Sequence, residues 1–412
     1  PEHGMSGHSW KAFVGLLIFT MGTSIITPLI PLYADQFDLS PGVLTLLFAT
    51  YTATVVPTML VMGSLSDRIG RKNVMFPAMA AIMAASLVLA LTESVPLLFV
   101  GRVLQGLAIG GFLGVGAAFV VDHARPGRRQ RAALFASVGF RLGFGLGPGL
   151  GGVVSEYTDR SIHTPFAGHA ALMLVAAAVV LFAPETVSRR RPEAGRAKLE
   201  IRIGIPAGQG RGFATFLGPA GFLMSFLDAA LLAIAPLYIA RTLEVESVVV
   251  PGLVGLLILG MGGLTPLVLG RVEPRRAMMV GVATSTVASL LVLGAAAVDA
   301  AALVVVAAAV IGFTNGLILQ GGTAICGISV PLRDRGKLIS AFYMCCYAGT
   351  VPIVGMGFLA NAVGLTAALA AWSATAFALA AFLLGVGRHV FTRVVPYVDP
   401  PPPPSRPVEV PA

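Results

Sequence analysis

Charge is scarce in this chain. Asp, Glu, Lys and Arg make up 11% of its 412 residues, against about 25% in a soluble globular domain, so an ordinary soluble fold is excluded. Cysteine is nearly absent as well. The three present, Cys326, Cys345 and Cys346, all lie in apolar stretches, which predicts packing residues rather than a disulfide framework or a thiolate metal site. Clusters of His and acids with metal-ligand spacing are missing from the sequence. His123, His163 and His169 stand alone, near the ends of apolar runs. No glycine-rich loop suited to cradling phosphate is present either. These absences speak against a metalloenzyme and against ATP drive, and no cofactor is expected.

What the chain has instead is long apolar runs: 56% of residues are hydrophobic and the mean hydropathy is +0.86. A bilayer-spanning helix needs roughly 20 apolar residues, and backbone polar groups in lipid must be satisfied within the segment, which requires helices. Twelve spans are predicted: 11–34, 43–65, 73–92, 96–121, 132–157, 166–184, 213–240, 248–270, 277–298, 300–330, 337–362 and 365–387. The residues through Trp10 are polar. The first apolar run is too long for a signal peptide and no small-residue cleavage site follows it.

Charge placement tests this parse. With the N-terminus cytoplasmic, 24 of the 28 Lys and Arg fall on the cytoplasmic side, as the positive-inside rule requires when both termini are cytoplasmic. The net charge of +9 is therefore read as topology signal, not as a nucleic-acid footprint. The expected organisation is an N-terminal six-helix bundle (1–184), a basic cytoplasmic linker (185–212), a C-terminal six-helix bundle (213–390) and a Pro-rich tail (391–412). The halves repeat weakly, at intervals of about 205–210 residues. Pro28-Leu29-Ile30-Pro31-Leu32-Tyr33 answers to Ala235-Pro236-Leu237-Tyr238, Gln105-Gly106-Leu107 to Asn315-Gly316-Leu317, and Arg71-Lys72 to Arg275-Arg276. Such a parallel repeat is the plan of a transporter with its site between the halves near the midplane.

Three ionisable residues lie deep in spans: Arg102, Arg141 and Asp228. Charge at mid-bilayer costs at least about 2.5–3.5 kcal/mol, so such residues tend to face the interior and carry function. Asp228 is the only acid near a span midpoint. A carboxyl in a low-dielectric cavity can take up and release a proton, which suits proton coupling with Arg102 or Arg141 nearby. A structural Asp228–Arg141 pair across the halves is the alternative, and the two readings can coexist.

The ten residues from Gly63 to Lys72 form a dense charge cluster, expected as a tight loop between the second and third spans. Gly63, three residues, Asp67-Arg68, one residue, Gly70-Arg71-Lys72 resembles the 2–3 loop signature of the major facilitator superfamily. Arg102, two residues, Gln105-Gly106 in the fourth span is similar to a second signature of that family. Gly143, Gly147-Pro148 and Gly151-Gly152 in the fifth resemble the core motif of its twelve-span drug:proton antiporters, although Leu134 stands where that motif usually opens with Gly. The resemblance implies an all-α membrane protein of two pseudo-repeated six-helix bundles, acting as a monomer on a small lipophilic molecule and protons.

It also implies that Asp67 meets the start of the eleventh helix near Gly336-Lys337, and that Arg71 pairs with Asp122. Together these contacts would hold the cytoplasmic side shut. The glycines of the fifth span, with Pro148 bending it, would make a hinge or a seal against proton leak; simple helix packing is the alternative. Candidate cavity residues are Tyr33, Gln105, Tyr238, Asn315, Gln320, Tyr343 and Tyr347, each of which could instead be a packing residue. Sparse polar groups in an apolar cavity suit a lipophilic or amphipathic substrate. Efflux antiport is the first reading. Proton-coupled nutrient import, or lipid flipping, on the same fold is the second. A membrane enzyme or receptor is the third.

Overall fold

A computed structural model describes residues 7–125, 127–159, 161–185, 204–206, 208–270 and 272–390. Most of the expected linker and all of the tail from 391 lie outside them. The described chain holds twelve helices long and apolar enough to cross a membrane. They are α1 (Ser9–Gln36), α2 (Pro41–Ile69), α3 (Arg71–Ala90), α4 (Val95–Asp122), α5 (Arg129–Glu156), α6 (Thr164–Leu181), α7 (Gly210–Arg241), α8 (Val249–Leu269), α9 (Pro274–Val298), α10 (Ala301–Ile328), α11 (Asp334–Val363) and α12 (Leu365–Val390). The α2–α3 turn and the ends of α4, α6, α8 and α10 share one side, here called the basic side.

Proline explains where the long helices break. Proline has no N–H for the carbonyl four residues back. In α1 this strands Ser24, ahead of Pro28, and the helix is interrupted at Ile25. In α7 it strands Leu232, ahead of Pro236, and the interruption falls at Ile234. In α11 Pro352 ends a turn that separates Leu332–Ala348 from Ile353–Val363. The breaks in α1 and α7 are repeat-related, and the apolar pattern reads straight through all three.

The expected 2–3 loop is not a loop. Helix α2 runs on through Ile69 and α3 starts at Arg71, so Gly70 alone makes the turn. Its φ of 102° is a conformation that L side chains rarely adopt.

Each half has its own apolar core. One joins Leu16, Met75, Phe112, Phe119 and Met173 of the N-terminal bundle. The other joins Phe216, Met278, Ile311, Phe342 and Trp372 of the C-terminal bundle. A third core on the side opposite the basic one packs Leu29, Tyr33, Leu44 and Phe166 against Leu237 of α7. Since lipid gives helices no hydrophobic reason to associate, close packing has to hold them. The repeat is legible in that packing: Gly106 of α4 sits against Thr54 of α2, and Gly316 of α10 against Thr265 of α8.

Candidate functional site

Helix α5 presents small residues on two faces. Gly143, Gly147 and Gly151 share one face, and a Cβ on any of them would press on the backbone of α1, at Leu17, Met21 and Ile25 respectively. The four-residue spacing therefore seats α5 against α1, inside the N-terminal half. The second face crosses to the other half. Gly145 lies against Gly260, Gly152 against Gly252, and the Pro148 ring against Gly255, all on α8.

Pro148 does not break α5, which is one helix from Arg129 to Glu156. It does leave the carbonyl of Phe144 without its helical donor. The hydroxyl of Ser24 fills that role, donating to Phe144 O at 2.6 Å. An unsatisfied buried carbonyl costs about 1–3 kcal/mol. Ser24→Ala is accordingly expected to lower the thermal unfolding midpoint of the purified protein, and Ser24→Thr to restore most of the loss. An unchanged midpoint in Ser24→Ala would show that Phe144 O needs no side-chain donor.

Arg102 of α4 is buried, and its hydrogen bonds stay within the N-terminal half. Nε donates to Leu47 O at 3.2 Å, Nη2 to Phe48 O at 3.4 Å, and Nη1 to Thr23 O at 3.3 Å and Gln105 Oε1 at 2.8 Å. The guanidinium also stacks over Tyr51, 4.6 Å from the ring centroid. Gln105 donates onward to Gly22 O at 2.8 Å. Arg102 and Gln105 thus clamp α1, α2 and α4 together. This corrects the expectation of Arg102 as a coupling partner and of Gln105 as a cavity group, because their polar capacity is spent on backbone carbonyls.

Asp228 and Arg141 are brought into one neighbourhood from opposite halves. Asp228, in α7, is half-buried, and its Oδ1 accepts from Asn315 Nδ2 of α10 at 2.6 Å. Asn315 is buried, and its own Oδ1 has no partner. Arg141 leaves α5 across Gly262 and Gly263 of α8, where a Cβ on either glycine would meet it. It lies within electrostatic reach of Asp228, Tyr343, Cys346 and Tyr347. Asp228 and Arg141 do not form a direct ion pair, which corrects the expected structural pair.

Tyr343 and Tyr347, one helical turn apart on α11, are half-buried here. Tyr347 also packs on the N-terminal core beside Tyr51, a residue the sequence reading missed. Gln320 is half-buried on α10 and donates weakly to Leu269 O at 3.4 Å. Two other candidates sit elsewhere. Tyr238 is buried near the end of α7 and donates to Ala295 O at 3.2 Å and Asp299 Oδ1 at 3.3 Å. Tyr33 is buried in the core opposite the basic side. Both pack in apolar cores, Tyr33 in the one opposite the basic side and Tyr238 in that of the C-terminal bundle.

On the basic side, Arg71 Nε lies 3.3 Å from Asp122 Oδ2, and Nη1 donates to Ser66 Oγ at 2.8 Å. Both contacts are inside the N-terminal half. Glu185 completes the arrangement, accepting the backbone N–H groups of Arg71 at 3.2 Å and Lys72 at 2.9 Å. A carboxylate on the first amides of α3 is favoured by the helix dipole. Nothing in the spacing of Glu185 pointed to it. Gly63 lies within α2; the side chains of Asp67 and Arg68 fall outside the described residues.

At the opposite ends of the helices, three polar contacts join the halves among the described residues. Arg241 pairs with Asp35 at 2.9 Å, Glu156 accepts Val248 N–H at 2.7 Å, and Asn361 accepts Gly42 N–H at 3.2 Å.

The family model described as Major Facilitator Superfamily matches residues 12–352. Curated relatives include multidrug resistance protein MdtD of Pectobacterium atrosepticum, 30% identical over 150 residues, covering 36% of this chain and 32% of that one. Multidrug resistance protein 1 of Bacillus subtilis is 26% identical over 208 residues, half of each chain. The chain spans about a third to a half of the length of the curated relatives it matches. Among solved structures, a peptide transporter POT in complex with alafosfalin superposes with a TM-score of 0.78 at 15% identity, covering 95% of this chain and 96% of that one. A D-xylose-proton symporter gives 0.74 at 15% identity, covering 95% and 98%. At such identities these likenesses speak to the fold alone. With twelve membrane helices in two repeated bundles and the family match over most of its length, this chain belongs to the Major Facilitator Superfamily and is a multi-pass membrane protein.

Proposed function

We propose that the chain is a proton-coupled efflux transporter of lipophilic or amphipathic small molecules, working as a monomer in the cell membrane with both termini cytoplasmic. The observation that carries this reading is the Asp228–Asn315 pair facing Arg141 across the halves. Asp228 takes the proton, and its charge state decides whether a cation is held beside it. Tyr343, Tyr347 and Tyr51 supply an aromatic wall, and Gln320 a further polar group on α10. The names of the relatives support the substrate class; the Gly147-Pro148 core supports antiport. The test is an efflux-deficient, hypersensitive host expressing this chain, screened against a panel of lipophilic compounds. Resistance with lowered intracellular compound is expected. Uptake that rises instead would make the chain an importer, and altered lipid asymmetry alone would make it a flippase.

In this reading the basic-side turn biases the rocking equilibrium. Arg71 and Asp122 brace α3 against α4, and the family signature assigns Asp67 a part in the same latch. A bias of about 1 kcal/mol shifts a two-state ratio about fivefold. Asp67→Asn is therefore expected to cut transport several-fold with normal membrane insertion, and to raise labelling of cysteines placed at the basic-side mouth. Unchanged transport and labelling would reduce the turn to a topology signal.

A further inference from the structure

Arg141 is the unspent charge of the central site. Whereas Arg102 is tied to carbonyls on every side, the Arg141 guanidinium makes no hydrogen bond or ion pair among the described residues, and it is half-buried rather than sealed. Gly262 and Gly263 leave room for it to lie across the boundary between the halves. A guanidinium in such surroundings is a strong, geometrically defined receptor for a carboxylate or similar anion.

A complementary receptor stands within electrostatic reach. Asp228 is a carboxylate, and the Asn315 amide is oriented by its donation to that carboxylate. That orientation leaves Asn315 Oδ1 buried without a partner, a position a native protein usually fills. Asp228 and Asn315 Oδ1 together form a pair of acceptors suited to an ammonium that still carries N–H groups. A quaternary ammonium could satisfy the charge of Asp228 but not the donor requirement of Asn315. Tyr343 and Tyr347, one turn apart on α11 and half-buried, lie within electrostatic reach of the same guanidinium.

We infer that the preferred substrate is an aromatic zwitterion, its protonated amine on Asp228 and Asn315 Oδ1 and its carboxylate on Arg141. This deepens the efflux reading, on which it rests only for the site being a substrate site. Such a ligand also explains how Asp228 and Arg141 sit near one another without pairing: each holds one end of the molecule. Protonation of Asp228 weakens the amine end alone, leaving the carboxylate on Arg141 as the last contact to be released.

Three congeners separate the ends of the molecule: an N-aryl piperazine bearing a carboxylic acid, its methyl ester (a cation) and its N-acetyl derivative (an anion). Binding is measured by equilibrium dialysis at neutral pH with the full chain in lipid nanodiscs. The acid is expected to bind at least about tenfold more tightly than either congener, the scale of one charge-assisted contact. Arg141→Gln should bring the acid-to-ester ratio close to one while leaving ester binding intact. Arg141→Lys should keep part of the ratio, and serves as the readout should the Gln variant not purify as a monodisperse species. Asn315→Leu should reduce the acid's advantage over the N-acetyl compound, with Asp228 left to hold the charge. An acid-to-ester ratio near one in the native chain, or one unchanged by both Arg141 variants, overturns the assignment. Failure of the whole series to bind overturns it too. If the hypersensitive host still gains resistance, only this assignment falls; if it does not, the efflux reading falls as well.

Discussion

Asp228→Asn is expected to abolish uphill accumulation of substrate while sparing downhill exchange. Asparagine has the size of the protonated carboxylic acid and can still accept the Asn315 Nδ2 bond seen at 2.6 Å, so the local fold should hold. What is lost is the ability to change charge. When ionised, Asp228 favours an arrangement with a cation beside it; when protonated, that attraction is gone and the site can close and reopen on the other side. A pH step of one unit supplies about 1.4 kcal/mol per proton, enough for about tenfold accumulation. In proteoliposomes with such a step, the native chain should approach that accumulation and release protons on adding substrate. The variant should equilibrate substrate without concentrating it, and release none. Accumulation and proton release at native levels in Asp228→Asn would move the coupling elsewhere, to Asp67 or Asp122 on the basic side.

The span pattern was the most legible part of the sequence. All twelve helices lie within about four residues of their predicted ends, because a bilayer imposes length and apolarity and both can be counted. The repeat was legible for a related reason: Gly106 and Gly316 fit the same helix crossing in each half, and only glycine fits there. Pairings across the bundle were not legible. Arg102 and Arg141 are both lone arginines in apolar helices. What separates them is that Arg102 points at backbone carbonyls of α1 and α2, whereas Arg141 points over two glycines of the opposite half. Facing at that level depends on helix rotation, which an apolar run buried all round does not encode. Tyr238 misled for the same reason. Its place in the repeat was read correctly, yet the break at Ile234 turns its hydroxyl to the end of α9.

The largest structural effect should come from adding bulk to α5, with a different outcome on each face. A Cβ on Gly147 would meet the carbonyl of Met21 and the hydroxyl of Ser24, both inside the N-terminal bundle. A Cβ on Gly152 would meet Val248 O at 2.8 Å and Gly252 Cα at 3.2 Å, both in the other half. Overpacking costs about 1–3 kcal/mol, but where the strain appears depends on what can yield. Around Gly147 only the bundle itself can yield, so Gly147→Val should lower expression and the unfolding midpoint. Around Gly152 the halves can rock apart, near the point where Glu156 accepts Val248 N–H. Gly152→Val should therefore leave the unfolding midpoint near native and shift the conformational ratio by about five- to 150-fold toward opening on the side away from the basic turns. Cysteine labelling at Asp35 and Ser247, set against labelling on the basic side, reads that shift directly. Proton leak without substrate should rise with it, since a wedged α5–α8 contact no longer closes the path between the halves. If both valine variants lower the unfolding midpoint alike and labelling does not move, α5 is a packing helix on both faces, and the gate must lie in α2 and α11, whose Gly42–Asn361 contact is the next place to introduce bulk.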